Sequence, residues 1–326
     1  MRWFAKIDPM VRLLVLAILL ASVLPATGET RGIAQMVSNG AIFVLFLLNG
    51  LRLPRTEVVR GLSHWRLLLP VLIWCFVAMA LAGMGLALAM SGMLPSLVAL
   101  GFLYLGVMPS TVQSATAYSS LAGGNVASSV VIAALTNVVG VFACAPLFAL
   151  LGGGEAADVG PDGLVKVALI LILPFSIGQA LQKPLAGWVV DRRDLVTWLD
   201  RLSIAIAVYV AFSGAVEQGL WRVMHPLDWL VLLVAVSVFL ALAFAGSWAV
   251  SGALALERTD RIAFLFAGAH KSVAMGAPLA AVLFPPQVAG MVLIPLLTYH
   301  LFQLVVSAPL ASRLARPPRP LPDAAG

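Results

Sequence analysis

The sequence predicts an all-α polytopic membrane protein of ten transmembrane helices, built as two inverted five-helix repeats. Three observations lead there: an apolar excess, a one-sided distribution of basic residues, and short matches that recur at half the chain length. Of 326 residues, 61% are hydrophobic and 10% are charged. A soluble domain carries about 25% charge, so this chain lacks the polar residues to coat a water-facing surface. Its two cysteines, Cys75 and Cys144, exclude a disulfide scaffold, and both lie in apolar runs as small buried hydrophobes do. Those runs are long and contain Gly and Pro, which suits helices and not alternating barrel strands.

A span needs about 20 mostly apolar residues at about 1.5 Å each to cross a hydrocarbon core of about 30 Å. Ten windows read as spans: 10–27, 33–50, 67–90, 95–120, 125–151, 163–182, 198–217, 227–254, 261–283 and 287–312. The first follows Arg2 and Lys6 and imitates a signal peptide, but no small-x-small cleavage site follows it closely, so it reads as retained. The loops are too short for a soluble domain. The Pro-rich end, 315–326, reads as a disordered cytoplasmic tail.

The formal net charge of +6 sits between apolar runs, so it reads as an orientation signal and not as a nucleic-acid footprint. With the N-terminus inside, 16 of the 20 Lys and Arg fall in cytoplasmic segments, and only Arg31 and Arg222 fall in external ones. Lys166 lies at a span edge and Lys271 within a span, and the acidic loop with Glu155, Asp158 and Asp162 is external. Nine or eleven spans would scramble this asymmetry. The expectation is a multi-pass protein of the inner (plasma) membrane with both termini cytoplasmic, segments 51–66 and 183–201 inside, and 152–163 outside.

Asn49-Gly50 is answered by Ser213-Gly214, Leu135-Thr136 by Leu297-Thr298, and Ala145-Pro146-Leu147 by Ala308-Pro309-Leu310, all at offsets of 162–164. That offset is five spans, so the second copy, 161–314, inserts upside down relative to the first, 1–160, as in secondary transporters.

Span 4 carries the polar run Met108-Pro109-Ser110-Thr111-Val112-Gln113-Ser114-Ala115-Thr116. Pro109 has no N–H and clashes with the turn before it. Freed backbone groups find no partner in lipid, so this span reads as a broken helix lining protein or a wet cavity. Half-helix N-termini there favour an anion. At the same offset, span 9 carries His270, Lys271 and Ser272 between Gly268 and Pro278. A buried lysine costs at least about 2.5–3.5 kcal/mol, which unwound carbonyls, an anionic ligand or a lowered pKa must offset. His270 reads equally as a proton site, a substrate donor or a structurally bonded histidine. Span 5 adds Asn125, Ser128, Ser129, Thr136 and Asn137, and span 10 adds Thr298, Tyr299, His300 and Gln303. The candidate binding residues are Ser110, Thr111, Gln113, Ser114, Thr116, Asn125, Ser129, Thr136, Asn137, His270, Lys271, Ser272 and Thr298. No carboxylate is expected mid-membrane, since Asp200, Glu217, Asp228, Glu257 and Asp260 lie at ends or in loops; this argues against a cation as cargo. Gly83, Gly85, Gly123 and Gly124 read as packing and turn glycines. No metal, nucleotide or catalytic motif is present, so an enzyme is not expected.

Phe46-Leu47-Leu48-Asn49-Gly50-Leu51, the polar run 108–120, Gly123-Gly124-Asn125-Val126-Ala127-Ser128-Ser129, and Gly268-Ala269-His270-Lys271-Ser272-Val273-Ala274-Met275-Gly276-Ala277-Pro278-Leu279 together resemble the bile acid:sodium symporter family, in its bacterial symporter-like branch. The resemblance covers nearly the whole chain. It implies a panel domain (spans 1, 2, 6, 7), a core domain (spans 3–5, 8–10) with broken helices 4 and 9 crossing, and alternating-access transport of a small organic anion. Sodium-coupled members hold the ion with polar groups of the first break, hydroxyls of the next helix, and a Glu and a Gln of the second break. Ser114 and Ser129 match two of these, Ala133 stands where a second hydroxyl is expected, His270 or Lys271 stands in the region of the Glu, and Met275 near the Gln. Coupling to Na+ or to H+ is left open, as is a second reading of a non-transporting membrane regulator or receptor that keeps the fold.

Overall fold

The computed structural model describes residues 8–53, 64–153 and 165–315. Within a hydrocarbon phase the backbone must satisfy its own hydrogen bonds, so long apolar runs become helices. The described residues contain thirteen such elements and no strand: α1 (Pro9–Val23), α2 (Glu29–Arg52), α3 (Trp65–Met90), α4 (Ser96–Val107), α5 (Val112–Leu121), α6 (Val126–Gly152), α7 (Val165–Asp191), α8 (Arg193–Glu217), the single turn α9 (Leu220–Val223), α10 (Pro226–Ala253), α11 (Arg258–Ala269), α12 (Val273–Leu283) and α13 (Pro286–Leu314). Several begin on recognisable signals. Asp8 caps α1 through the N–H of Met10 with Pro9 at its first position, Asn125 caps α6, and His225 with Asp228 forms a capping box ahead of Pro226 in α10.

Eight of the described helices, counting α11 and α12 as one, are long and apolar enough to cross a membrane, and the bent pair α4–α5 makes nine. The tenth predicted span is the helix α1, whose 15 residues reach only about 22 Å at about 1.5 Å per residue.

The predicted loop 183–201 is helical. α7 continues to Asp191 and α8 starts at Arg193, with Arg192 alone at the corner. Charged residues alternate there with Leu185, Val189, Leu195 and Leu199, so an amphipathic helix extends past the apolar window. Asp200 therefore lies inside α8 instead of at a span end. The predicted external loop 152–163 and the tail fall almost wholly outside the described residues.

Helices α1, α2, α7 and α8 pack together, and α3–α6 with α10–α13 form a second group. Close backbone approach organises both. At the α2–α7 crossing a Cβ on Gly50 or Gly178 would strike a carbonyl of the facing helix. Gly83 and Gly106 let α3 and α4 touch in the same way, whereas Gly85 faces open space and Gly123 (φ +74°) makes the turn before α6. Ion pairs Arg52–Asp200 and Arg31–Glu217 tie the two ends of α2 to α8. The two groups meet where Gly290 of α13 sits against the backbone of Ala211, and Gly214 against the carbonyl of Pro286.

Candidate binding site at the two breaks

The helix containing Pro109 stops at Val107 and resumes at Val112, bent by 62°. Between them, Met108 (φ −72°, ψ 144°) and Thr111 (φ −84°, ψ 130°) are extended. The second interruption lies between Ala269 and Val273, with His270 (φ −80°, ψ 140°) and Ser272 (φ −87°, ψ 107°) extended. The two breaks join directly, the N–H of Ser272 donating to the carbonyl of Pro109 at 2.9 Å.

Buried carbonyls freed by an interruption must find donors, and here the protein supplies them. Lys271 is fully buried, and its Nζ donates to the carbonyls of Gly106 (2.8 Å), Met108 (2.8 Å) and Cys75 (3.3 Å). Two of these belong to the C-terminal end of α4, the negative end of its dipole. The third comes from the stretch Trp74–Ala78, where α3 widens into a π-helix. Cys144 Sγ donates to Val107 and Asn137 Nδ2 to Ser110. At the end of α11, Trp74 Nε1 donates to Gly268 (3.2 Å), Tyr299 OH to Ala269 (2.5 Å), and Cys75 Sγ makes a long contact with Ala267 (3.9 Å). Gln303 braces the peptide of Lys271 from both sides: its Oε1 accepts from the N–H at 2.8 Å and its Nε2 donates to the carbonyl at 3.2 Å. The same Nε2 reaches His300 Nδ1 at 2.9 Å, so that ring nitrogen accepts and the amide orientation follows. His270, also fully buried, is held at Nδ1 by Ser114 Oγ and at Nε2 by Ser307 Oγ, both at 2.8 Å, among the rings of Tyr118, Phe244 and Phe266.

The N-terminal ends of the half-helices are arranged differently. The first turns of α5 (Val112, Gln113, Ser114) and α12 (Val273, Ala274, Met275) both line one cavity of about 950 Å³. No side chain caps α5, and α12 is capped only at the N–H of Met275 by Ser272 Oγ. Elsewhere the wall is mostly aliphatic, from Val130, Val138, Leu301, Leu304 and Val305, with polar groups from Asn49, Arg52, Asn137, Asp200, Arg201 and His300. Asp200 faces Arg52. Arg201 lies over Trp198, its centre 5.6 Å from the ring, and its buried Nε has no hydrogen-bond partner among the described residues.

Of the residues predicted from sequence, Thr111, Gln113, Ser114, Asn137 and Ser272 line the cavity. Ser110, His270 and Lys271 form the layer behind it. Lys271 is turned away, onto carbonyls. Asn125, Ser129, Thr136, Thr116 and Thr298 are not on the wall. Asn125 is committed to Ser128 N and Asp260, Thr136 bonds back to the carbonyl of Ala133, and the hydroxyls of Thr116 and Ser129 are buried without a partner among the described residues. Arg52 at the end of α2 and Asp200 and Arg201 in the first turns of α8 join the site where those two helices pack together. Trp74, Cys75 and Tyr299 join it only through the tertiary crossing.

The chain is similar to known proteins over nearly its full length. It is 40% identical over 307 residues to an uncharacterised protein of Pseudomonas aeruginosa, covering 93% of this chain and 91% of that protein. It is 36% identical over 319 residues to the putative symporter YfeH of Escherichia coli, with coverages of 97% and 95%. Sodium/bile acid cotransporter 7 of Mus musculus is 24% identical over 314 residues, with coverages of 91% and 89%. The SBF-like CPA transporter family matches residues 8–316, and the chain belongs to that family.

Proposed function

We propose that this protein is a secondary transporter that moves a small organic anion across the inner membrane by alternating access. One observation carries the reading: two half-helix N-termini open into a single, mostly apolar cavity. Unpaired N–H groups and the positive dipole ends favour a negative head group, and the aliphatic wall favours an apolar body. Thr111, Gln113, Ser114, Asn137 and Ser272 supply hydrogen bonds around the head group, and Arg201 adds positive charge on the wall, the charge of Arg52 being paired with Asp200.

In this reading the first group of helices is the panel and the second the core. The breaks at 108–111 and 270–272 are the equivalent points of two inverted repeats, 1–160 and 161–314. The cavity lies on the Arg52 and Arg201 side, which the distribution of basic residues assigns to the cytoplasm. Gly214 and Gly290 pack closely across the groups at the opposite side, which supports reading this conformation as inward-facing. The names of two relatives, a putative symporter and a sodium/bile acid cotransporter, support a transport role.

The test is a thermal-shift screen of the purified protein against amphipathic carboxylates and sulfonates, bile acids included, followed by uptake into proteoliposomes. Ligands of the folded state raise its melting temperature, and a stabilising anion is expected to accumulate in the vesicles. Binding with no accumulation under any imposed gradient would refute transport.

A further inference from the structure

Relatives of this chain are named for sodium, so sodium is the coupling ion to test against the residues present. Broken-helix transporters hold a coupling cation at unwound carbonyls and half-helix C-terminal ends. Here those positions are the end of α4 with residues 108–110, and the end of α11 with residues 270–272. The carbonyls of Gly106 and Met108 are held by Lys271, and those of Val107, Pro109 and Ser110 by Cys144, Ser272 and Asn137. At the second end, the carbonyls of Gly268, Ala269 and Lys271 are held by Trp74, Tyr299 and Gln303.

Neither break contains a carboxylate. The two carboxylates on the cavity wall are engaged elsewhere, Asp200 with Arg52 and Asp8 with the N–H of Met10. A bare Na+ gives up strongly bound water and needs several oxygen ligands in return; the carbonyls named above are already given to N–H, O–H and S–H donors, which leaves neutral hydroxyls such as those of Ser110, Thr116 and Ser129, with no carboxylate beside them to balance the charge. The residues do not fit sodium.

We infer that the Lys271 ammonium takes the place of a diffusible coupling cation, so that the protein binds and moves its anion without sodium. The part about movement rests on the transport reading above; the part about the ion does not. The cation and its carbonyls travel together as one covalent unit, while the anion-attracting ends stay open to the cavity.

The experiment compares sodium with choline chloride at constant ionic strength. For the wild-type protein the expected result is no saturable binding of radioactive sodium, melting temperatures within about 1 °C of each other, and anion uptake rates within twofold. Saturable sodium binding, or uptake that rises tenfold or more with sodium, would overturn the inference. Lys271→Ala uncovers three carbonyls, and the variant is expected to gain sodium-specific stabilisation of several degrees. A folded Lys271→Ala with no sodium response would show that the carbonyls are no cation site and would also overturn it. If Lys271→Ala fails to fold, the wild-type sodium measurements decide alone. Failure of every anion to enter vesicles in either salt would defeat the transport reading, whereas sodium binding judges Lys271 independently.

Discussion

Replacing Lys271 by Met tests whether the buried ammonium stabilises the crossing or burdens it. Met keeps the length of the side chain and removes the charge and all three donors. The loss is three charge-assisted hydrogen bonds, two of them at 2.8 Å, at about 1.5–3 kcal/mol each, or about 4–9 kcal/mol together. Against this, the variant no longer buries a charge, which recovers about 2.5–3.5 kcal/mol on insertion scales. The difference is a net destabilisation of about 1–6 kcal/mol. For a chain of this size that corresponds to a fall of roughly 1–9 °C in melting temperature. Thermal unfolding of the purified proteins in one detergent reads it directly. Lys271→Arg is expected to fall as well, because a planar guanidinium does not fit a pocket shaped around a point charge. A Lys271→Met protein as stable as wild type, or more so, would refute the reasoning, since desolvation would then outweigh the carbonyl contacts.

Gln303→Leu leaves the N–H and carbonyl of Lys271 unpaired in a buried site, at about 1–3 kcal/mol for each group, and a loss of several degrees in melting temperature is the expected readout. Arg201→Gln removes a wall cation that forms no ion pair among the described residues; a stabilising anion should bind about 5–30-fold more weakly while the ligand-free melting temperature stays within about 1 °C, as titration calorimetry and thermal unfolding will show. Asp194→Cys in the α7–α8 corner and Trp221→Cys in α9 are both exposed; an impermeant thiol reagent added to intact cells should label position 221 and spare position 194, and the reverse pattern would invert the topology.

Much of the architecture was readable from composition and periodicity, because the bilayer demands internally satisfied helices and punishes proline in mid-span. Both interruptions were visible for that reason: Pro109 within a polar run, and Lys271 far from any span end. The α7–α8 corner was not, since an apolar window ends at the first charges although an amphipathic helix continues through them. Within the site, nearness in sequence misled at α6. Thr136 and Asn137 are neighbours that both donate to Ala133 of their own helix, but successive helical residues point about 100° apart, so Asn137 also reaches Ser110 and the cavity while Thr136 does not. The donors on the α11 end were hidden for a different reason. Trp74 and Cys75 lie nearly 200 residues from the carbonyls they contact, and only the fold brings them together.

The seam between the two helix groups has one further property. Across it, Gly214 and Gly290 place backbone against backbone, and among the described residues a single hydrogen bond crosses between the groups, from Gln35 Nε2 to the carbonyl of Ala281 at 3.4 Å. A closure held by the absence of side chains can part without stranding polar groups, and it answers to volume instead of charge. One methyl group at Gly214 would strike the carbonyl of Pro286 and act as a wedge against this closed packing. On the transport reading, the balance between the two faces of the membrane would answer to a single carbon, remote from the cavity and chemically silent toward whatever the cavity holds.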